Sequence, residues 1–149
     1  MSRRSYDHDV IVIGAGIAGM VSAVTANALG KRVAVIEKAT VGGNCTNTTC
    51  IPSKALISLS RFNRDMRGLE QRGLLERSSA GLVTRAIMPH IRGVVHRASE
   101  KDLPETFEKI GIRMIEGAAE FIDAHHVTAV GQKLSAAAFI IAAGTTPLV

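Results

Sequence analysis

The chain is poor in the residues that mark several common protein classes. Its 149 residues include no tryptophan, one tyrosine and four phenylalanines. Those five rings, Tyr6, Phe62, Phe107, Phe121 and Phe139, are scattered, which argues against an aromatic platform for stacking bases. Two cysteines are too few for the disulfide framework of a small secreted domain. A chain of this length buries enough surface to fold without one. Positive charge is in modest excess, 18 Lys and Arg against 13 Asp and Glu. The excess is mostly arginine along expected helical faces, so it reads as a solvated surface, and no nucleic-acid partner is expected. Hydrophobic content of 46% with 21% charged residues excludes a disordered polar chain. The opening residues carry no apolar core with a small-residue cleavage site, so a cytoplasmic protein is expected.

One long uncharged run is present, the 21 residues from Val10 to Gly30. It is long enough to cross a bilayer, but it is not one periodic segment. A β-branched run, Val10 to Ile13, is followed by Gly14, Gly16 and Gly19 and then by a stretch with Ser22, Thr25 and Asn27. A strand, a tight turn and a helix explain this better than a span, and no membrane partner is expected.

The pattern predicts a strand over 7–13, a helix over 16–29 ended by Gly30, and a second strand over 32–37. These make one βαβ unit with parallel strands. Residues 38–49 read as a loop. A helix is expected from Cys50 or Ile51 to about Met66, with Pro52 in its first turn, then a turn-like connection over 68–81. Residues 84–110 read as helical, interrupted by Pro104, with Asp102 and Glu105 at N-cap and N3 spacing. Short strands follow over 113–121, 127–130 and 132–134, with turns at Asp123-Ala124 and Gly131. A last buried strand, 138–142, is stopped by Gly144 and Pro147. The expected class is α/β, a parallel sheet with helices and a small antiparallel β-meander.

Gly14-Ala15-Gly16-Ile17-Ala18-Gly19 has the G-x-G-x-x-G spacing, and it sits after a strand and opens a helix. Gly14 permits the tight turn, Gly16 lets backbone approach a pyrophosphate at the helix N-terminus, and Gly19 lets helix and strand pack closely. Glu37 ends the second strand, where a carboxylate can accept hydrogen bonds from an adenosine ribose. The glycines alone do not separate FAD from NAD.

Four residues separate Cys45 from Cys50, with Cys50 at the start of a helix. The partial positive charge there stabilises a thiolate, and Lys54 one turn on adds charge. A pair able to close and reopen in a reducing cytosol reads as catalytic rather than structural. A zinc site would need two further ligands. His8, His90, His96, His125 and His126 show no such spacing, so no metal is expected.

Three stretches together resemble the N-terminal FAD-binding part of the flavin-dependent pyridine nucleotide–disulfide oxidoreductases, the family of dihydrolipoyl dehydrogenase, glutathione reductase and mercuric reductase. They are VIGAGIAG at 12–19 with Glu37, GGNCTNTTCIPSK at 42–54, and FIIAAGTTP at 139–147. The resemblance implies a Rossmann-like FAD-binding fold. It makes Cys45 the thiol that attacks a substrate disulfide, Cys50 the thiol facing the flavin as a charge-transfer thiolate, and Lys54 a neighbour of flavin N5. Gly14, Gly16, Gly19 and Glu37 would hold the ADP half, and Gly43 would pass the pyrophosphate. Gly117 and Ala118 would lie beside adenine, and Ala143, Gly144 and Thr145 would form the turn below the FAD. The implied substrate is a small-molecule or protein-bound disulfide or dithiol.

The chain departs from the family pattern at three places. Thr48-Thr49 stands where most relatives have a residue plus Gly before the second cysteine, Asn44 replaces a Thr, and Ala143 replaces another. Relatives are several-fold longer. They carry a second G-x-G-x-x-G for NAD(P), a Gly-Asp pair for the ribityl chain and an interface domain with a His–Glu acid–base pair. Residues 1–149 therefore read as one FAD-binding segment of a larger homodimeric enzyme whose NAD(P) and interface domains are absent, and full turnover is not expected of it. An exposed apolar surface is expected as well. The favoured parent is dihydrolipoyl dehydrogenase-like. The alternatives are a non-catalytic dinucleotide-binding module, a mercuric reductase, which usually has a further cysteine pair, and a transhydrogenase, which usually lacks the second cysteine.

Overall fold

A computed structural model describes residues 6–76, 82–99 and 102–146, Asp102 as backbone only. The chain runs β1 (His8–Ile13), α1 (Ile17–Ala28), β2 (Val33–Glu37), α2 (Gly43–Asn47), α3 (Cys50–Gln71), α4 (Thr84–Ser99), α5 (Asp102–Lys109), β3 (Arg113–Glu116), β4 (Ala119–Asp123), β5 (His126–Ala129) and β6 (Gln132–Ile141).

The strands form one six-stranded sheet in the order β3-β2-β1-β6-β5-β4. β1 pairs in parallel with β2 and with β6, and β2 in parallel with β3. β5 is antiparallel to both β4 and β6. The βαβ expectation is met, with α1 as the crossover. β2 is buried at all five positions, as its unbroken apolar run requires of a central parallel strand. Because side chains alternate along a strand, the core divides between the two faces. Ile11, Ala34, Ile36 and Ile115 pack with Val127, Ala129 and Leu134 of the meander. Val12, Val33 and Val35 pack on the other face with Ala23 of α1, Phe107 of α5 and Ile112.

Several elements differ from the sequence expectation. Residues 38–49 are not all loop, because a single helical turn, α2, holds Cys45. Gly42 at φ 96° starts it and packs on Thr46. α3 runs past Met66 to Gln71, so the expected connection begins later. Residues 77–81 lie outside the described set. α4 is described to Ser99 and α5 from Asp102, with Pro104 inside α5; residues 100 and 101 lie outside the described set. The Asp102 cap falls outside the described side chains. The strand expected over 113–121 is two strands divided at Gly117 (φ 150°), which lets β3 join β2 and β4 join β5. The strands expected over 132–134 and 138–142 are one, β6, ending at Ile141. Pro147 lies outside the described residues.

The turn between β5 and β6 is Val130-Gly131, with φ of 50° and 71°, the two positive values a type I′ hairpin needs. On α1, Ile17, Val21 and Val24 are 49%, 61% and 44% exposed. No helix among the described residues is long and apolar enough to cross a membrane.

Candidate nucleotide and thiol site

The carboxyl ends of the parallel strands are joined by backbone bonds from the residues that end them. Gly14 N–H donates to the Ile36 carbonyl at 2.8 Å, Ala142 N–H to Ile13 at 2.8 Å and Gly117 N–H to Glu37 at 2.7 Å. Strand order reverses about β1 at this edge, which is where open α/β sheets bind ligands. At Gly14, φ is 102°, and a side chain would overlap the Ala142 carbonyl. At Gly19 one would overlap the Gly14 carbonyl, so α1 can lie against the turn only without a Cβ there. Gly16 is different. A Cβ there meets nothing within 4 Å and projects into open space.

That space is a cavity of about 680 Å³, lined among others by Gly16, Glu37, Lys38, Gly43, Cys45 and Ala143. A second cavity, of about 230 Å³, shares Glu37, Lys38 and Ala143 with it and is lined also by Gly14, Gly117 and Ala118. Gly144 and Thr145 line the larger one. Thus every glycine of the first motif but the packed Gly19, together with Glu37, Gly43 and the later segments, borders one continuous edge. α1 starts at Gly16 with no side-chain cap and no acidic residue in its first turn. Its first N–H groups are therefore left for an anion. The residues fit a dinucleotide: the turn and α1 could hold a pyrophosphate, and Glu37 could hold a ribose. The Glu37 carboxylate accepts Ala15 N–H at 2.6 Å and Ala39 N–H at 2.8 Å. A carboxylate has about four acceptor sites, so two bonds leave capacity for hydroxyl donors.

Both cysteines are free thiols and half-buried. Cys45 sits in α2 and borders the larger cavity. Cys50 is the first residue of α3 and borders a separate, mostly apolar hollow with Pro52, Leu56, Met88 and Ile91. Coupling between the two neighbouring thiols acts oppositely on the partners. It raises Cys45 above the ordinary thiol value, with burial and the Cys50 charge acting the same way. It lowers Cys50, with the Thr49 hydroxyl second. Lys54 is exposed, borders neither hollow, and lowers both thiols through its charge.

Sequence reasoning passed over two ties. Asn44 Nδ2 donates to the Thr145 carbonyl at 3.1 Å, joining the α2 turn to the segment after β6. Asn47 Nδ2 donates to the Val41 and Gly43 carbonyls and holds the turn closed. Lys38, beside Glu37 on both cavities, was also missed; its place directly after Glu37 was the available signal.

A family model for pyridine nucleotide-disulphide oxidoreductases matches residues 8–149. The chain belongs to this family. Its similarity extends to a mercuric reductase of Staphylococcus aureus, 33% identical over 98% of this chain and 26% of that protein. A dihydrolipoyl dehydrogenase of Synechocystis is 30% identical over 98% of this chain and 32% of its own length. Among solved structures, the HOCl-induced flavoprotein disulfide reductase RclA from Escherichia coli superposes with a TM-score of 0.73 at 28% identity, over 95% of this chain and 29% of that one. The chain therefore spans about a quarter to a third of the relatives it matches. These relatives are enzymes by name, and the α/β architecture is theirs.

Proposed function

We propose that this chain is the FAD-binding segment of a flavin-dependent NAD(P)H:disulfide oxidoreductase, with Cys45 and Cys50 as its redox pair and a dihydrolipoyl dehydrogenase-like parent. The reading rests on one observation: two free, interacting thiols, one of them on the cavity bordered by the dinucleotide motif. The small- or protein-bound disulfide substrate, the homodimeric parent and a reducing cytoplasmic setting belong to the same proposal. So does NAD(P), which the parent alone would bind.

In this reading the turn after β1 and the first turn of α1 bind the pyrophosphate, and Glu37 orients the adenosine ribose. Lys38 and the backbone at Gly117-Ala118 border the adenine side. Cys45 attacks one sulfur of a substrate disulfide, and Cys50 then attacks Cys45 in the mixed disulfide, releasing the substrate as a dithiol. Run the other way, a dithiol opens the Cys45–Cys50 disulfide and leaves oxidised. FAD, when bound, supplies the two-electron partner for closing and opening that pair. The lowered Cys50 thiol favours a thiolate there, and Cys45 gives up its own proton, to Cys50 or to solvent, before it attacks.

Titrating the purified chain with FAD tests the proposal. Flavin absorbance should co-purify or saturate, and anaerobic reduction should give a long-wavelength band that Cys50→Ser removes and Cys45→Ser keeps. Absence of FAD binding, or a flavin spectrum indifferent to both substitutions, sinks the assignment.

A further inference from the structure

Thr49 is one of the two residues that depart from the family pattern before the second cysteine, and the structure gives its hydroxyl two acceptors. The Asn44 carbonyl is approached by four donors: Thr48 N–H at 2.9 Å, Thr49 N–H at 2.8 Å, Thr48 Oγ1 at 3.1 Å and Thr49 Oγ1 at 3.0 Å. A carbonyl oxygen has two lone pairs. The two backbone N–H groups are fixed, so the hydroxyl hydrogens are surplus on that oxygen. The Thr49 hydroxyl has another place to go, because its Oγ1 lies 3.7 Å from Cys50 Sγ. No such sulfur contact exists for Thr48, whose hydroxyl reaches the same carbonyl from the C-cap of α2.

We propose that Thr49 is a positioning residue for the Cys50 sulfur, its hydroxyl hydrogen turning from the Asn44 carbonyl to that sulfur when Cys50 gives up its proton. The Cys50 proton leaves to solvent, and no other covalent bond changes. Asn44 loses one of two surplus hydroxyl donors on an oxygen that keeps both backbone donors, so the re-aiming leaves no buried group unpaired. The thiolate meanwhile gains the Thr49 O–H as a donor, and bonds to a charged acceptor are stronger than those to a neutral one. Stabilising one thiolate of a dithiol stabilises the reduced form. Thr49 therefore makes the Cys45–Cys50 couple more oxidising than a glycine at its position would. The redox consequence rests on the proposed function, whereas the effect on the sulfur does not.

The test is the pH profile of Cys50 alkylation by iodoacetamide in the full chain, read by peptide mass spectrometry so that Cys45 and Cys50 are separated. In Thr49→Val the half-point of the profile should move to higher pH, with labelling at neutral pH slowed about three- to tenfold, the range of one net hydrogen bond. Thr49→Ser should restore the wild-type profile, and Thr48→Val should leave it unchanged. Thr49→Gly carries the same expectation as valine and covers the case in which valine does not fit at the helix cap. An unmoved profile in Thr49→Val or Thr49→Gly, or an equal shift in Thr48→Val, overturns the proposal. FAD binding is scored separately. A chain that shows the shift but takes no flavin refutes the proposed function alone, and one that takes flavin without the shift refutes this inference alone.

Discussion

The Glu37 carboxylate holds the Ala15 N–H at 2.6 Å, so the acid that ends β2 fastens the glycine turn that ends β1. Its other oxygen holds Ala39 N–H at 2.8 Å, and the residue is 9% exposed. One side chain thus shapes the nucleotide turn as well as bordering the cavity. Glu37→Gln keeps the shape but offers a single acceptor oxygen, which leaves one of the two N–H groups facing an NH₂. A buried unmatched donor costs about 1–3 kcal/mol, a fall of roughly 2–10 °C in Tm for a domain of this size. Thermal melts without ligand should show it, and an unchanged Tm would mean that the turn holds itself.

Gly16 and Gly19 stand three residues apart and should fail in different ways. Gly19→Ala forces a methyl group into the Gly14 carbonyl. Overpacking of that kind costs about 1–3 kcal/mol or more, so Tm should drop by several degrees and ligand binding should follow it. Gly16→Ala meets nothing in the protein. It should melt within a degree or two of wild type while FAD affinity falls by about tenfold or more, since the methyl group occupies the space offered to the pyrophosphate. Paired melts and FAD titrations separate the two. Equal loss of Tm in both variants contradicts the geometry.

His8 opens β1 at the opposite end of the sheet and is 8% exposed, and its Nδ1 has no partner. Burial, and next the Arg113 guanidinium, hold the imidazole below the ordinary histidine value, against the opposing pull of Asp7 and Asp9. Folded protein keeps it neutral, whereas the unfolded chain takes up a proton near pH 6.5. The unfolded state then binds more protons, so stability falls as pH drops below about 6.5 and levels off under the folded value. Urea midpoints at pH 7.5 and 5.5 should differ, and His8→Leu should flatten that difference. A second loss belongs to Asp9, held at about 2 by its bonds from Arg32. It sets in as pH falls through about 4, well below the pH at which the His8 loss begins. Persistence of the upper slope in His8→Leu would assign it elsewhere.

Val130 sits at φ 50°, a region that a β-branched residue occupies at a cost of about 1–3 kcal/mol. Asparagine accepts that conformation and is the usual partner of glycine in a type I′ turn. Val130→Asn should raise Tm by about 2–6 °C. Differential scanning calorimetry would show it, and a lower Tm would mean that the packing of Val130 over Gly117 outweighs the strain.

Much of this architecture was legible because it is local. The switch from a β-branched run to glycines and then to a polar-flecked helix is written in consecutive residues, and so is the return of an apolar strand at Val33. What was hidden depends on contacts across the chain. α2 is five residues long and has no periodicity; it is held by Gly42 and by donors gathered on Asn44. β6 was read as two strands because Ser135, Ala136 and Ala137 are weak strand formers. Pairing with β1 decides the matter there, and Asp7 accepts from the Ser135 N–H and hydroxyl at 3.1 and 2.7 Å. Residue types at the site were readable, but their partners were not. The Asn44–Thr145 bond spans 101 residues, and the division of the cysteines between two hollows follows from how α2 and α3 meet.

β6 is ten residues long and serves two neighbours of opposite direction, β5 along its first part and β1 along the rest. It works as a single beam, with the hairpin fixed at one end and the segment Ala143–Thr145 carried at the other. Side chains alternate along it, so a slip of one residue at the hairpin would turn every later side chain over. The hairpin therefore acts as an alignment gauge for the distant edge at Ala143–Thr145, and insertions at that surface turn should be felt there.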